Sequence, residues 1–257
     1  TLRVSGEVRP LRQPAGWFHD PTADKVYVAD PENGRLLSFA SNGEFLAEFN
    51  AGGNLRQPAD LVKDGAGTFW ILEFDYPGVI EVNPASRSTS RHELHSAGGP
   101  VYPRRVALTA DGFLFLDKAS GALIRYDRDF RETGRIDCPD PGSFRDFQLR
   151  GEQIQALSAK KIHLYTLAGT HLEEYPLPPS IEFPVSVASD GNGLFYLLDR
   201  HAGKVTVLQS QGKELYTFLN RGENEGDLLY PSLIRLDSSG ALWIVDEGNN
   251  RVTGYRR

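Results

Sequence analysis

Residues 195–199 read Phe-Tyr-Leu-Leu-Asp, a short run of strand-forming residues that ends in an acid. The same kind of run recurs as VYVAD at 26–30, FWILE at 69–73, FLFLD at 113–117, IQALS at 154–158 and LWIVD at 242–246. The polar ends of successive runs are 43, 44, 41, 41 and 47 residues apart. A near-constant period of this length indicates a repeat protein, and six runs predict six units.

A second marker repeats with the same period. A proline opens each unit except the fourth, where Phe144 stands in its place. The prolines are Pro14, Pro58, Pro103, Pro184 and Pro231, with spacings of 44, 45, 81 and 47 residues. Because 81 is nearly twice the unit length, this marker also supports six units.

Each unit contains four strand-like runs separated by turn residues. Asp-Gly pairs such as Asp64-Gly65 and Asp190-Gly191 lie between the first two runs, where glycine favours a hairpin because it adopts a positive φ at little cost. Four short strands per unit of this size are typical of a propeller blade. The sequence therefore predicts an all-β, six-bladed β-propeller with four antiparallel strands per blade.

We expect one domain over residues 1–257. Its predicted blades cover approximately 12–55, 56–100, 101–143, 144–180, 181–228, and 229–257 plus 1–11. The last unit ends after its third strand, whereas residues 2–8 form a strand without a unit of its own. We expect this N-terminal strand to close the last blade and so remove an open sheet edge.

The units resemble NHL repeats, a family of six-bladed β-propellers, and the resemblance extends over essentially the whole chain. It is clearest from Arg221-Gly222 through Tyr230-Pro231 to the LWIVD run and Asn249-Asn250-Arg251. The fourth unit departs most, with Ser158 in place of the acid, and we expect it to be the most irregular blade. The resemblance implies a propeller fold but several functions, because the family includes lyases, protein-binding modules and RNA-binding domains.

Composition excludes some classes of protein. The 257 residues carry a net charge of −6, with 28 basic and 34 acidic residues, so a general nucleic-acid-binding surface is not expected. The single cysteine, Cys138, cannot form an internal disulfide, and no stretch is apolar enough to span a membrane. Because the chain contains no methionine, we interpret Thr1 as the start of a processed protein or a fragment. Low sulfur content favours an extracytoplasmic location, periplasmic or secreted.

The acids that end the runs suggest either calcium ligands or loop caps. They are Asp30, Glu73, Asp117, Asp199 and Asp246. Repetition in nearly every unit favours caps that accept hydrogen bonds from backbone amides or a downstream arginine.

No catalytic, metal or cofactor site is predicted. His92 and His95 are three residues apart in a strand, where alternate side chains point to opposite faces, so their rings should diverge. Lyases of this fold carry zinc-binding histidines on inner strands, and the corresponding positions of this chain hold other residue types. Neighbouring acids should raise the pKa of Cys138 rather than activate its thiol.

Charge is distributed unevenly over the predicted loops at one end of the strands. Basic residues cluster in the third and fourth units, and acids such as Glu223, Glu225, Asp246 and Glu247 cluster in the last two. The candidate binding residues are Asp60, Tyr102, Arg104, Arg105, Arg145, Asp146, Lys160, Lys161 and Tyr230.

Three functions follow from this pattern. The first is a non-catalytic binding or scaffold propeller whose loops recognise a protein partner or an acidic ligand. The alternative is a metal-dependent lyase or lactonase, for which Asp60, Asp146 and Ser186 are the plausible donors. The third is RNA binding through the basic loops, which the neighbouring acids disfavour.

Overall fold

The computed structural model describes residues 1–4 and 8–255. They form two compact units: Leu2–Asp137, here the N-terminal unit, and the residues from Cys138 onward together with Thr1, here the C-terminal unit. Each unit contains three of the predicted repeats, and its regular structure is almost entirely β-strand.

The N-terminal unit contains three four-stranded antiparallel sheets, each built from consecutive strands. Blade 1 consists of β1 (Trp17–Asp20), β2 (Lys25–Asp30), β3 (Arg35–Ala40) and β4 (Phe45–Phe49). Blade 2 consists of β5 (Pro58–Lys63), β6 (Phe69–Glu73), β7 (Gly78–Asn83) and β8 (Ser88–Glu93). A short hairpin, β9 (His95–Ser96) with β10 (Gly99–Pro100), leads to the next sheet. Blade 3 consists of β11 (Pro103–Leu108), β12 (Gly112–Asp117), β13 (Leu123–Asp127) and β14 (Glu132–Ile136).

The C-terminal unit continues the same order. Blade 4 consists of β15 (Asp146–Arg150), β16 (Gln153–Leu157), β17 (Lys161–Thr166) and β18 (His171–Pro176). Blade 5 consists of β19 (Pro184–Ser189), β20 (Leu194–Asp199), β21 (Lys204–Gln209) and β22 (Glu214–Phe218). Two short parallel strands follow, β23 (Asn220–Arg221) and β24 (Asp227–Leu228). Blade 6 consists of β25 (Leu233–Leu236), β26 (Leu242–Asp246) and β27 (Arg251–Tyr255).

Short 3-10 helices lie in loops between strands, at Pro31–Asn33, Ala51–Gly53, Ser210–Gly212 and Glu247–Asn249. No helix within the described ranges is long and apolar enough to cross a membrane. Six sheets of consecutive antiparallel strands are the blades of a six-bladed β-propeller, and this confirms the predicted fold class. The extent of the domain over residues 1–257 stays a prediction.

The turns between the first and second strands use both aspartate and glycine. Asp190 Oδ1 accepts hydrogen bonds from the amides of Asn192 and Leu194, at 2.8 and 3.1 Å, and Gly191 has a φ of 77°. In blade 2, Asp64 caps the turn in the same way, but the positive φ of 89° is at Gly67. The aspartate is therefore the shared element, since its side chain satisfies turn amides wherever the glycine lies.

The core is built from the second strand of each blade and an apolar position of the first strand. All five residues of β26 are buried, as are all six of β12. The repeated first-strand positions are all buried as well: Trp17, Leu61, Val106, Phe147, Val187 and Ile234. Ile234 packs with Tyr196 and Val207 of the preceding blade, so this position joins neighbouring blades.

The predicted closing strand is described only in part. The described residues of blade 6 contain three strands. Thr1 Oγ1 lies 3.3 Å from Thr253 Oγ1 on β27, which is the edge that the N-terminal strand is expected to cover. Ser5, Gly6 and Glu7 of that strand lie outside the described residues, so its full pairing stays a prediction.

Blade 4 is not the irregular sheet that its sequence suggested. It has four antiparallel strands and one register shift, between β17 and β18, whereas blades 3 and 5 each have two. Phe144, which replaces the proline, is fully buried. The departure from the repeat lies in the side chains that cap the blade.

Candidate functional site

The acids at the ends of the second strands cap loops. Asp199 Oδ1 accepts hydrogen bonds from the amides of His201 and Ala202, both at 3.0 Å. Asp246 is fully buried and accepts from the amide of Leu229 at 2.7 Å and from Arg251 Nε at 2.8 Å. Equivalent bonds are made by Asp30, Glu73 and Asp117. The predicted capping role is confirmed.

Polar residues of the first strands link neighbouring blades. Asp60 Oδ2 accepts a hydrogen bond from the amide of Val106 at 3.2 Å in the N-terminal unit. In the C-terminal unit, Asp146 Oδ2 accepts one from the amide of Val187 at 3.2 Å. The hydroxyl of Ser186 likewise accepts one from Ile234 at 3.0 Å. Each of these side chains thus satisfies a backbone donor of the following blade.

Asp146 belongs to a buried ion pair that the sequence analysis missed. Arg235 of β25 donates from Nη1 to Asp146 Oδ2 and from Nη2 to Oδ1, both at 2.8 Å. The Ser186 hydroxyl donates to Asp146 Oδ2 at 2.5 Å. Arg235 lies 89 residues from Asp146, and nothing in the local repeat pattern indicates this pairing.

Four predicted site residues lie in the N-terminal unit. Asp60 is 6% exposed on β5, and Arg104 and Arg105 are partly buried on β11. Arg105 Nη1 donates to the Arg104 carbonyl at 3.1 Å. The backbone amide of Tyr102 donates to Asp117 at 2.9 Å, while its side chain is partly buried. The Asp60 side chain therefore links blades 2 and 3 through the Val106 amide, and the two arginines lie on the first strand of blade 3.

The other five predicted site residues lie in the C-terminal unit, and their environments differ. Asp146 is fully buried, whereas Arg145 beside it is partly buried and donates from Nη1 to the Pro184 carbonyl at 2.8 Å. Burial lowers the pKa of the Arg145 guanidinium. Lys160 is exposed, but Lys161 Nζ is held by Glu174 Oε1 at 2.6 Å. Lys161 is thus neutralised locally and adds little to a basic surface.

The acidic part of the predicted charge asymmetry also needs correction. Asp246 is fully buried and paired with Arg251, so it does not contribute to an exposed acidic surface. Glu247 pairs with Arg200 at 2.8 Å. Glu223 and Glu225 remain exposed. Because Asp246 caps its loop as predicted, it is not available to an exposed acidic surface.

The most distinctive surface of the C-terminal unit is a series of stacked guanidinium and aromatic groups, here the guanidinium–aromatic strip. Its members are Arg145, Phe183, His201, Arg200, Tyr230 and Arg221. The Arg145 guanidinium lies 4.4 Å from the centre of the Phe183 ring, and the His201 ring stacks on Phe183 at 4.5 Å with an interplanar angle of 13°.

The second half of the strip is centred on Tyr230. Its ring lies 5.7 Å from the Arg200 guanidinium and 5.1 Å from that of Arg221. Arg221 Nη2 donates to the Tyr230 hydroxyl at 2.9 Å, and Arg200 Nη1 donates to the Tyr230 carbonyl at 2.8 Å. The halves are joined through the backbone, because the Arg200 amide donates to the Phe183 carbonyl at 3.0 Å.

Sequence reasoning identified Arg145 and Tyr230 but missed the other members of the strip. Arg200 directly follows the strand-end acid Asp199, and His201 follows Arg200, so their position in the repeat already placed them in the loop. Arg221 opens the stretch that most resembles an NHL repeat. What the sequence did not indicate is that these loops stack their side chains on one another.

The structure also bears on the predictions for the histidine pair His92 and His95 and for the Cys138 thiol. His92 bonds to Glu81 at 2.9 Å and stacks on Phe130 at 4.3 Å, whereas His95 lies 3.5 Å from Glu93. His92 lies on β8 and His95 on β9, so they do not share the single strand that was expected, and the two rings contact different glutamates. Burial, followed by the charge of Asp140, raises the pKa of Cys138, which does not favour a reactive thiolate.

In blade 4, Ser158 itself accepts hydrogen bonds from the amides of Lys160 and Lys161, at 3.3 and 3.0 Å, and a carboxylate from the preceding loop supports it. The Ser158 hydroxyl donates to Asp140 Oδ2, and His163 Nε2 lies 3.1 Å from the same oxygen. Burial by itself raises the pKa of Asp140, but the hydrogen bonds from Ser158 and His163 outweigh it and hold the pKa below its ordinary value. Asp140 therefore supplies the carboxylate that the repeat lacks.

Comparison with known proteins supports the fold. No protein family profile matches the chain, and no curated protein matches it in sequence. A solved streptogramin B lyase is similar in structure, with a TM-score of 0.67, 16% identity, and coverage of 100% of this chain and 86% of that one. Hydrazine synthase of Kuenenia stuttgartiensis has a TM-score of 0.67 and 14% identity, with coverage of 95% and 83%.

An auxiliary nutrient binding protein from Bacteroides thetaiotaomicron is also similar, with a TM-score of 0.69, 13% identity, and coverage of 96% of this chain and 70% of that one. These similar structures include both a lyase and a binding protein. Structural similarity at such low sequence identity shows a shared fold, and it carries no information about function. By fold, the chain is a six-bladed β-propeller.

Proposed function

We propose that this protein is a non-catalytic propeller of the NHL type that binds an acidic segment of a protein partner through the guanidinium–aromatic strip. The observation that carries the proposal is that two arginines of the strip have no carboxylate partner among the described residues. Within the described residues, neither Arg145 nor Arg221 forms an ion pair with a carboxylate, although each stacks on an aromatic ring. Both are therefore cations available to an anionic ligand.

The environment of Arg145 favours such a ligand. Its guanidinium is partly buried, and burial lowers its pKa, which means that its charge is poorly solvated. A carboxylate bound there would form charge-assisted hydrogen bonds in a planar, bidentate arrangement. Because the ring of Phe183 already orients the guanidinium, little side-chain entropy is lost on binding.

Tyr230 supports the proposal independently. Its side chain is 40% exposed, and its φ of 48° lies in the left-handed region, which is unfavourable for a residue with a side chain. The hydrogen bonds from Arg200 and Arg221 hold it in this conformation. Exposed tyrosine and arginine are the residue types that most often dominate binding at interfaces.

The alternative, a metal-dependent lyase or lactonase, is supported less well. The sequence suggested Asp60, Asp146 and Ser186 as its metal ligands. Both oxygens of Asp146 already accept hydrogen bonds from Arg235, and a guanidinium in that position repels a cation. RNA binding is also disfavoured, because Lys161 is paired with Glu174. Low sulfur content supports the proposal of an extracytoplasmic location.

The proposal is tested with a fluorescent peptide rich in glutamate and tyrosine, whose binding is followed by anisotropy at two salt concentrations. The double variant Arg145→Gln, Arg221→Gln is expected to weaken binding by about tenfold or more, and Tyr230→Ala by a similar factor. Lys213→Gln is the matched control, because Lys213 is an exposed cation at the opposite ends of the blade 5 strands. Equal binding by the double variant and the control would refute the proposal.

A further inference from the structure

Two histidines and a glutamate converge on the outer strands of blade 4. His163 lies on β17, and His171 and Glu174 lie on β18. One ligand atom from each residue lies within 4.8 Å of the other two. His163 is fully buried, whereas His171 and Glu174 are exposed, so the cluster is open to solvent on one side.

A β-bulge brings the three side chains to one face. His163 is paired with Glu174, and Tyr165 is paired with His171, with a register shift between these pairs. In a regular strand, residues 171 and 174 would point to opposite faces. The extra residue at the bulge reverses the alternation, and His171 therefore lies on the same side of the sheet as His163 and Glu174.

Hydrogen bonds orient the buried histidine for metal binding. His163 Nε2 lies 3.1 Å from Asp140 Oδ2, so this nitrogen donates its proton to the carboxylate. The other nitrogen, Nδ1, is buried without a hydrogen-bond partner. It lies 3.7 Å from Glu174 Oε2. Nδ1 is therefore the unprotonated nitrogen, and its lone pair points at the cluster.

The other two residues are positioned by their neighbours. Lys161 Nζ holds Glu174 Oε1 at 2.6 Å, which leaves Oε2 directed toward His163. The His171 ring packs edge-on against Tyr165, with centroids 5.3 Å apart. Each carboxylate oxygen thus has a separate role, and Lys161 need not move to admit a cation beside Oε2.

We propose that His163 Nδ1, His171 and Glu174 Oε2 bind a divalent transition metal ion, with Zn²⁺ as the best match. Two imidazoles and one carboxylate form a common zinc ligand set, and the fourth position faces solvent. Tetrahedral ligands at zinc distances are about 3.4 Å apart. The 3.7 Å between His163 Nδ1 and Glu174 Oε2 needs only a small closing movement, and the exposed His171 side chain, within 4.8 Å of both, moves in to complete the site. Asp140 is the outer carboxylate that fixes the tautomer of the metal-binding histidine.

The proposal is independent of the guanidinium–aromatic strip and is tested by metal binding to the untagged protein. Zn²⁺ affinity is measured by competition with a chromophoric chelator, and stoichiometry by elemental analysis after gel filtration. One Zn²⁺ per chain is expected. His171→Ala and Glu174→Gln are each expected to weaken binding at least tenfold, because each removes a ligand from a three-ligand site. Both residues are exposed, so neither variant should lower the melting temperature without metal.

Two variants serve as controls. His95→Ala removes an exposed histidine that also lies beside a glutamate, Glu93, at 3.5 Å. Cys138→Ser removes the thiol, a further side chain of the C-terminal unit with high zinc affinity. Both should bind Zn²⁺ within twofold of the unchanged protein. Less than one Zn²⁺ per chain, or unchanged affinity in His171→Ala and Glu174→Gln, would overturn the proposal.

Discussion

Blade 6 and blade 4 solve the same structural problem with different residues. At the end of the second strand, blade 6 has Asp246, which accepts hydrogen bonds from Leu229 and Arg251 of its own repeat. Blade 4 has Ser158 at that position and takes its carboxylate, Asp140, from the preceding loop. Asp246 is fully buried, whereas the Asp140 side chain is 12% exposed.

The difference teaches what a repeat position must provide. The cap needs an acceptor for loop amides. In blade 4 the Ser158 hydroxyl is that acceptor for the amides of Lys160 and Lys161, at 3.3 and 3.0 Å, and a carboxylate from another segment accepts the hydroxyl proton. When the carboxylate comes from the loop, it also bonds to His163 of the third strand. Blade 6 has Thr253 on its third strand and no comparable contact among its described residues. In blade 4 the carboxylate that bonds to Ser158 thus also orients a buried histidine.

The largest expected effect is in blade 6. Asp246→Ala removes a buried carboxylate and leaves Arg251 and the Leu229 amide without their acceptor. We expect the free energy of unfolding to fall by about 3–5 kcal/mol, measured by urea denaturation. Glu225→Ala, at an exposed acid, is the control and should change it by less than about 0.5 kcal/mol. A small effect of Asp246→Ala would mean that the caps are dispensable.

A smaller effect is expected in blade 4, because Asp140 is less buried. Asp140→Ala should lower the free energy of unfolding by about 1.5–3 kcal/mol. Adding Ser158→Asp to this variant restores the acid of the repeat and should recover about 1 kcal/mol. Ser158→Asp alone places a second carboxylate beside Asp140 and should be destabilising. If Ser158→Asp has the same effect in both backgrounds, the two positions do not share one capping role.

The smallest expected effect concerns pH. In blade 6, Asp237 accepts hydrogen bonds from Ser239 and from Trp243 Nε1, the latter at 2.8 Å. Burial raises the pKa of Asp237, but these hydrogen bonds outweigh it and lower the pKa below its ordinary value. Because the pKa is lower in the folded than in the unfolded state, ionised Asp237 stabilises the fold at any pH above its unfolded-state pKa. This stabilisation is lost as the pH falls through the folded-state pKa.

Asp237→Asn should therefore lower the free energy of unfolding by about 1 kcal/mol at neutral pH. The difference from the unchanged protein should shrink as the pH falls below about 4. Urea denaturation at neutral pH and at several acidic pH values measures it. A difference that is independent of pH would show that the charge of Asp237 contributes nothing to this turn.

Much of the fold was predictable because its signals are local. The strand-end acids repeat with one period, and they have the capping bonds expected of them. The first-strand positions of Trp17 and Ile234 are buried in every blade. The site was less predictable. Arg145 and Tyr230 were identified from charge and loop position, but their stacking on Phe183 and Arg200 depends on how separate loops pack.

The sequence by itself determined the six blades, their strand order and the capping role of the acids, because alternation, turns and period are properties of neighbouring residues. Only the tertiary structure decided which distant groups meet. Arg235 neutralises Asp146 across 89 residues, and a bulge in β18 moves His171 to the face of His163. Residues three apart in a regular strand diverge, but His171 and Glu174 of β18 do not. The physical reason is that one inserted residue reverses the side-chain alternation, and pairing with the neighbouring strand determines where that residue lies.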